Sequence, residues 1–191
     1  LVTELSEMVS TPARFVNAHW LNPAYLMPLV EVSRSDATCP QVVERLLQLL
    51  KRIGKVPVVC NPVAGYIVPR IQALAMNEAA RMVEEGVASA EDIDTAVRVG
   101  FGLRFSVLGL LEFIDWGGGD ILYYASRYLS RELDPRFESP QVIADNMQGG
   151  RNGLRDGQGF YDYQDRDVDA YKQQRLGEFV RKLQLSGLTP A

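Results

Sequence analysis

The stretch NAHWLNPAYLMPLVEV, residues 17–32, contains His19, the only histidine among 191 residues, and Glu31, an acid inside an apolar run. Residues 14–19 alternate in polarity and residues 29–33 are apolar and β-branched, so both segments are predicted to be short strands. The Asn-Pro and Met-Pro steps between them favour a turn or an extended connection. Two strands joined in this way can bring the histidine and the acid together.

The segments that follow extend these strands into an α/β pattern. Residues 38–54, TCPQVVERLLQLLKRIG, place apolar side chains at helical spacing, which predicts an amphipathic helix. Thr38 and Gln41 have the spacing of a capping box, and Gly54 is a suitable stop. The valines of residues 56–60, VPVVC, predict a third strand.

These patterns divide the chain into two regions. Residues 1–61 are predicted to be the tail of an α/β sheet domain, and because Leu1 already lies within a helical pattern, we expect the chain to be a fragment. Residues 62–191 carry helical patterns and no series of strands. The longest of these patterns cover 65–85 and 168–185. The second region is therefore predicted to be an all-α domain.

The second region also holds glycines and aromatic residues that invite a functional interpretation. Ser89 is a predicted N-cap for a helix that Gly100 should end. The glycines of GGGD, residues 117–120, are interpreted as a helix junction rather than a phosphate loop. Residues 151–163, RNGLRDGQGFYDY, are predicted to be a structured loop. Core packing or a dimer contact is the expected role of three tyrosines: Tyr123, Tyr124 and Tyr128.

Composition excludes several classes of protein. A net charge of −4 and a pI near 5.1 argue against a general nucleic-acid binder, whose footprint is a basic face. No apolar run approaches the roughly 18 residues of a membrane span, so we expect no membrane contact. The only cysteines, Cys39 and Cys60, belong to no metal-type cluster. They are interpreted as reduced thiols in a cytoplasmic protein without a metal site.

The histidine and the acid suggest acid–base chemistry. A carboxylate at one ring nitrogen of His19 would fix the tautomer and favour the protonated form, leaving the other nitrogen to take a proton from a substrate. A glutamate between two valines needs a partner, because burying an unpaired charge is costly. The structural alternative is that Glu31 pairs with an arginine such as Arg14 or Arg34, and that His19 is a packing residue.

Four segments together resemble the 3-hydroxyacyl-CoA dehydrogenase family. HWLNPAYLMPLVEV resembles its His-x-x-Asn-Pro…Leu-Val-Glu-Val motif, and GKVPVVCNPVAGYIVPR, residues 54–70, resembles its Gly-Lys-x-Pro-Val…Pro-Gly-Phe-x-x-Asn-Arg motif. Residues 77–104 resemble the helices that follow. GLRDGQGFYDY, residues 153–163, resembles the closing Gly-x-Lys-x-Gly-x-Gly-Phe-Tyr-x-Tyr. The similarity covers nearly the whole chain in order.

The resemblance implies an NAD-dependent dehydrogenase with a Rossmann-type domain, of which residues 1–61 match the end, and a helical domain that makes a homodimer. It implies that His19 is the catalytic base and Glu31 its partner. Asn22 matches the asparagine of the histidine motif and is expected to bind substrate or to shape the Asn-Pro turn. No residue is assigned to the cofactor, because the sequence lacks the G-x-G-x-x-G that cradles a pyrophosphate.

Two departures from the family pattern concern the substrate. Pro69 stands where the asparagine before the helix arginine is usual, although Arg70 is retained. HWLNP replaces His-Phe-Phe-Asn-Pro, and FSVLGLLEFID lacks the usual Gly-Pro. The expected reaction is oxidation of a 3-hydroxyacyl-CoA, such as 3-hydroxybutyryl-CoA, in fatty acid metabolism. These departures are similar to relatives that oxidise gulonate or carnitine, so a dehydrogenase of a small 3-hydroxy acid without CoA is one alternative. A non-catalytic dimerisation module is the other.

Overall fold

A computed structural model describes residues 1–189, which form two compact units that divide between Ala88 and Ser89. The first unit is mixed and the second is helical, so the predicted fold class is confirmed. The domain boundary predicted between 61 and 62 stays a prediction. The first unit contains α1 (Val2–Ser6), β1 (Val16–Trp20), β2 (Leu29–Arg34), α2 (Pro40–Arg52), β3 (Val56–Val59) and α3 (Val68–Glu84).

The three strands form one sheet in the order β1-β2-β3. β1 pairs with β2 in the antiparallel sense, whereas β2 and β3 are parallel and are connected through α2. Val30 and Val32 of β2 are fully buried and pack with Val43 and Leu50 of α2. Helix α2 therefore covers the face of the sheet on which Val30 and Val32 lie. The residues that alternate with them, such as Glu31, point to the opposite face, where a site can form.

The predicted capping box before α2 is wrong. The helix begins at Pro40, its N-cap is Cys39, and no side chain caps it. The hydroxyl of Thr38 donates instead to the carbonyl oxygen of Phe15 at 2.8 Å, which ties the start of α2 to the segment before β1. The predicted stop is confirmed, because Gly54 has a φ of +80° just after the helix.

The second unit contains α4 (Ala90–Ala96), α5 (Leu103–Phe105), α6 (Leu110–Gly117), α7 (Gly119–Glu132), α8 (Gln141–Gln148) and α9 (Val168–Leu185). Ser89 caps α4 as predicted, since its hydroxyl accepts from the backbone N–H of Asp92 at 3.1 Å. The stop predicted at Gly100 is wrong. Gly100 keeps a right-handed backbone within a π-helical turn, Val97–Gly102, so the chain continues directly into α5.

A buried carboxylate organises the loop that precedes α9. Asp115 of α6 accepts hydrogen bonds from the backbone N–H groups of Phe160 and Tyr161, both at 2.9 Å, and from the hydroxyl of Tyr163 at 3.1 Å. A Cβ atom at Gly159 would lie 2.1 Å from a carboxylate oxygen of Asp115, so only glycine fits there. The predicted structured loop is confirmed, and its glycines and aromatic residues serve this anchor.

Large apolar side chains remain exposed in both units. The helix α3 buries none of its residues, and Leu74 is 68% exposed. Tyr124 and Tyr128 of α7 are 60% and 57% exposed, so the prediction that they pack in the core is wrong and the alternative of a dimer contact remains. The helix junction predicted at the triple glycine is confirmed, because α6 ends at Gly117 and α7 begins at Gly119.

Candidate active site

The register of the first two strands explains the twelve-residue spacing between the histidine and the acid. His19 of β1 lies directly opposite Glu31 of β2. Directly opposed residues of an antiparallel pair share one face of the sheet, with Cβ atoms about 4.5–5.5 Å apart. Nδ1 of His19 lies 2.9 Å from Oε2 of Glu31, within hydrogen-bonding distance. The structure therefore brings the two predicted residues together, while their chemical role stays a prediction.

Glu31 is fully buried. Three hydrogen bonds to its carboxylate oxygens stabilise the ionised form. Oε2 contacts His19, and Oε1 accepts from the backbone N–H groups of Ile67 and Val68 at 2.9 and 2.8 Å, at the start of α3. Burial raises the pKa of this carboxyl, but the hydrogen bonds from Val68, His19 and Ile67 outweigh burial and hold the pKa below its usual value. Within residues 1–189 no arginine pairs with Glu31, so the alternative that it pairs with Arg14 or Arg34 is wrong.

The contact with Glu31 decides which nitrogen of His19 carries a proton. An ionised carboxylate can only accept a hydrogen bond, so Nδ1 donates to it. The lone pair of the neutral imidazole is then on Nε2. Nε2 forms no hydrogen bond to any residue in 1–189, and the His19 side chain is 31% exposed. This geometry suits a base that receives a proton from a molecule outside the chain.

An aromatic ring covers one face of the imidazole. The rings of Tyr66 and His19 are stacked, with centroids 4.9 Å apart and planes inclined by 14°. The hydroxyl of Tyr66 accepts a hydrogen bond of 2.9 Å from the side-chain amide of Asn17. The sequence suggested neither residue. The only signals were the place of Asn17 two residues before His19, and the place of Tyr66 in the second motif.

The loop between β1 and β2 carries the third predicted residue. Asn22 is exposed and forms no hydrogen bond to any residue in 1–189, so its proposed contact with substrate stays a prediction. Lys55, which sequence reasoning also missed, holds this loop. Its ammonium group donates to the carbonyl oxygens of Ala24 and Met27 at 2.6 and 2.8 Å and lies 5.3 Å from the ring centroid of Trp20. The Gly-Lys of the second motif was the available signal.

The remaining sequence predictions concern metal ligands, cysteines and membrane-spanning helices. Residues 1–189 contain no group of three histidine, cysteine, aspartate or glutamate side chains that could hold a metal ion. Cys39 and Cys60 are both free thiols. In the same described part of the chain, no helix has the length and apolar character required to cross a membrane.

A mixed sheet that carries a His–Glu hydrogen bond, followed by a helical unit, defines the chain as a protein with an α/β part and an all-α part. Residues 1–63 match the model of the 3-hydroxyacyl-CoA dehydrogenase NAD binding domain, and residues 65–163 match the 3-hydroxyacyl-CoA dehydrogenase C-terminal domain. The chain belongs to the 3-hydroxyacyl-CoA dehydrogenase family, whose cofactor is NAD.

Relatives in this family differ in substrate. The chain is 31% identical over 180 residues to 5-formyl-3-hydroxy-2-methylpyridine 4-carboxylate 5-dehydrogenase of Mesorhizobium japonicum, covering 94% of this chain and 58% of that protein. It is 35% identical over 190 residues to the fatty acid oxidation complex subunit alpha of Shewanella amazonensis, covering 100% of this chain and 26% of that protein. The chain thus spans about half or less of the length of these curated relatives.

A solved structure has the same fold. The 3-hydroxyacyl-CoA dehydrogenase of Archaeoglobus fulgidus superposes with a TM-score of 0.81 at 33% identity, covering 98% of this chain and 64% of that one. This likeness extends over both the sheet and the helices described above.

The residues present do not include a pyrophosphate cradle. Dinucleotides bind where a glycine-rich turn joins a strand to a helix. The connection from β2 to α2 contains no glycine, and Gly65, between β3 and α3, is alone in its segment. The sequence GFGLRF at 100–105 lies in helical backbone. Among the described residues, the His19–Glu31 pair is suited to proton transfer.

Proposed function

We propose that this chain carries the general base of an NAD-dependent dehydrogenase that oxidises the hydroxyl group of a 3-hydroxyacyl-CoA. His19 takes the hydroxyl proton on Nε2 while hydride passes to the cofactor. The hydrogen bond between Nδ1 of His19 and the fully buried carboxylate of Glu31 is the observation that carries this proposal. A base placed in this way contributes about 10²–10⁴ in rate.

Electrostatics favours proton uptake at this position. Before the reaction, the ionised carboxylate of Glu31 faces a neutral imidazole. After the transfer it faces an imidazolium, so a buried charge gains a partner of opposite sign. The two N–H donors at the start of α3 keep Glu31 ionised throughout, because they bind its second oxygen. Glu31 therefore stabilises the product of proton transfer without itself accepting the proton.

The test is His19→Gln in the full-length gene product, with NADH formation as the readout. Glutamine retains size and hydrogen bonding but cannot accept the proton. We expect kcat to fall by about 10²-fold or more, equivalent to about 2.7 kcal/mol of transition-state stabilisation. A packing histidine predicts lower thermal stability with near-normal kcat instead. A folded His19→Gln enzyme that turns over within a few-fold of the parent would contradict the proposal.

The acyl-CoA substrate needs its own test. The likeness to a solved 3-hydroxyacyl-CoA dehydrogenase supports a CoA thioester. A second candidate, a small hydroxy acid without CoA, is supported by the relative named for a pyridine carboxylate and by Pro69, which removes a polar side chain from the second motif. kcat/KM for 3-hydroxybutyryl-CoA, gulonate and carnitine should be compared in the full-length protein. A higher value for gulonate or carnitine would favour the second candidate.

Exposed apolar surface supports a homodimer as the state of the protein, formed through residues 62–191. Leu74 of α3 and Tyr124 of α7 each expose most of their surface, and such side chains commonly mark protein interfaces. Light scattering of the chain should give about twice 21.3 kDa. A monomer at high concentration would exclude the dimer.

The two free thiols support a reducing compartment, the cytoplasm.

A further inference from the structure

Tyr66 has an unusual backbone conformation next to the candidate base. Its φ is +45°, and it is the only non-glycine residue in 1–189 with a positive φ. Gly65 before it has a φ of +79°, so two consecutive residues are left-handed. Bulky side chains rarely adopt this region, and such strain concentrates at functional sites. The turn before α3 therefore holds Tyr66 in an unfavourable backbone conformation. The contacts that Tyr66 makes with its surroundings must stabilise this conformation.

Those contacts all lie on one face of the first strand. Asn17 and His19 are two residues apart in β1, so their side chains point to the same side of the sheet. The ring of Tyr66 stacks on His19, and its hydroxyl reaches the amide of Asn17. The next two residues of the turn donate their N–H groups to Glu31. One short segment thus contacts both members of the His–Glu pair.

We propose that Tyr66 is a positioning residue for His19, and that the hydrogen bond from Asn17 holds its ring in place. This inference rests on the proposed role of His19 as the base. The bond from Nδ1 to Glu31 restrains one point of the imidazole but leaves the plane of the ring free to tilt about that point. A parallel ring at 4.9 Å removes this freedom and fixes the direction of Nε2. Proton transfer depends on that direction, because the base must lie about 2.6–3.2 Å from the group it deprotonates.

The single histidine permits a test without turnover. In the chain labelled with 15N-histidine, the ring protons of His19 should be shifted upfield by the ring current of Tyr66. Tyr66→Leu should abolish the upfield shift, while the 15N shifts still report a proton on Nδ1. Tyr66→Phe and Asn17→Ala break the same hydrogen bond from opposite ends and should broaden or move the imidazole signals alike. Tyr25→Phe, at a tyrosine that is 83% exposed, is the matched control and should change nothing.

Kinetics of the full-length protein test whether positioning matters. A misplacement of about 1 Å can cost about 10²-fold, so Tyr66→Leu should lower kcat by roughly tenfold or more with KM little changed. Tyr66→Phe should lower kcat by only a few-fold, and combining it with Asn17→Ala should be no worse than either single change. If Tyr66→Leu does not fold, the two milder variants still decide the question.

The failures of the two proposals are distinguishable. An active His19→Gln enzyme overturns the role of His19 as the base, whatever Tyr66 does to the imidazole. An inactive His19→Gln enzyme, combined with unchanged imidazole signals in Tyr66→Phe and Asn17→Ala and normal kcat, overturns the positioning role alone. A rise in KM at constant kcat would also overturn it, because the residue would then contact substrate rather than position the base.

Discussion

Replacing Glu31 with glutamine changes one atom of the site, and the structure indicates how the new amide lies. Oε1 of Glu31 accepts from two backbone N–H groups at the start of α3. Only the amide oxygen of glutamine can accept these bonds, so the NH₂ group must occupy the position that faces His19. An NH₂ group donates, and Nδ1 of His19 must then accept. The proton of the neutral imidazole consequently moves to Nε2.

Two losses add up in Glu31→Gln. With its proton on Nε2, the neutral imidazole cannot take the substrate proton there, and any imidazolium that forms lacks its buried counter-charge. The equivalent acid-to-amide change in a serine protease triad lowers kcat by about 10⁴-fold through the wrong tautomer. We expect a fall of about 10²–10⁴-fold here, equivalent to about 3–5 kcal/mol. Stability at pH 7 should fall as well, because the hydrogen bonds that hold the pKa of Glu31 below its usual value stabilise the ionised carboxylate, and glutamine has no charge.

The assay combines kcat of the full-length protein with 15N spectra of this chain, in which His19 is the single histidine. The spectra should show Nδ1 protonated in the parent and Nε2 protonated in Glu31→Gln. Glu44→Gln, the same change at an exposed position of α2, is the control and should affect neither measurement. Retention of the proton on Nδ1 together with near-parent kcat would refute the reasoning, since it would mean that Glu31 does not select the tautomer.

Substitutions at four other positions have further expected outcomes. Lys55→Met removes two hydrogen bonds to the loop between β1 and β2, so amide exchange in that loop should accelerate and stability should fall by about 1–3 kcal/mol; the exposed Lys51→Met should do neither. Gly159→Ala places a Cβ atom 2.1 Å from a buried carboxylate and should cost about 1–3 kcal/mol or more by thermal unfolding. Gly177→Ala, in open space within α9, should instead stabilise by about 0.5–1 kcal/mol. Burial raises the pKa of Glu112, but hydrogen bonds from Tyr171, Gly109 and Arg175 outweigh burial and hold this pKa below its usual value. The ionised carboxylate therefore stabilises the fold fully above the ordinary pKa of a glutamate, and this stabilisation is lost as pH falls through the lower pKa of the folded state. Glu112→Gln should be less stable than the parent at pH 7, whereas the two proteins should have similar stability in acid.

The sequence predicts the elements around the site because each rests on local patterns. Alternating polarity and valine runs place β1, β2 and β3, and the spacing of His19 and Glu31 anticipates their contact. The closing loop and the last helix also follow from local composition. Thr38 shows the limit of this reasoning. Its hydroxyl bonds to a residue 23 positions away, so a local capping motif indicated the wrong partner.

The partners of Glu31 and His19 were hidden from sequence reasoning because they are set by tertiary structure. The N–H groups that bind Glu31 belong to residues 36 and 37 positions later, and backbone donors leave no mark in side-chain patterns. Tyr66 lies 49 positions after Asn17. Its positive φ is a property of a turn that also contains Gly65, and glycine there signals a turn without indicating where the following ring points.

The helix start that binds Glu31 also explains why Pro69 is tolerated there. Proline has no backbone N–H and is compatible with the first turn of a helix. The two donors that Glu31 uses belong to Ile67 and Val68, so the missing N–H of Pro69 takes nothing from the His–Glu pair. The positive end of the helix dipole still favours an ionised carboxylate at this point. Pro69 therefore leaves the contacts of the His–Glu pair unchanged, and the departure from the family motif is confined to the side chain at its own position.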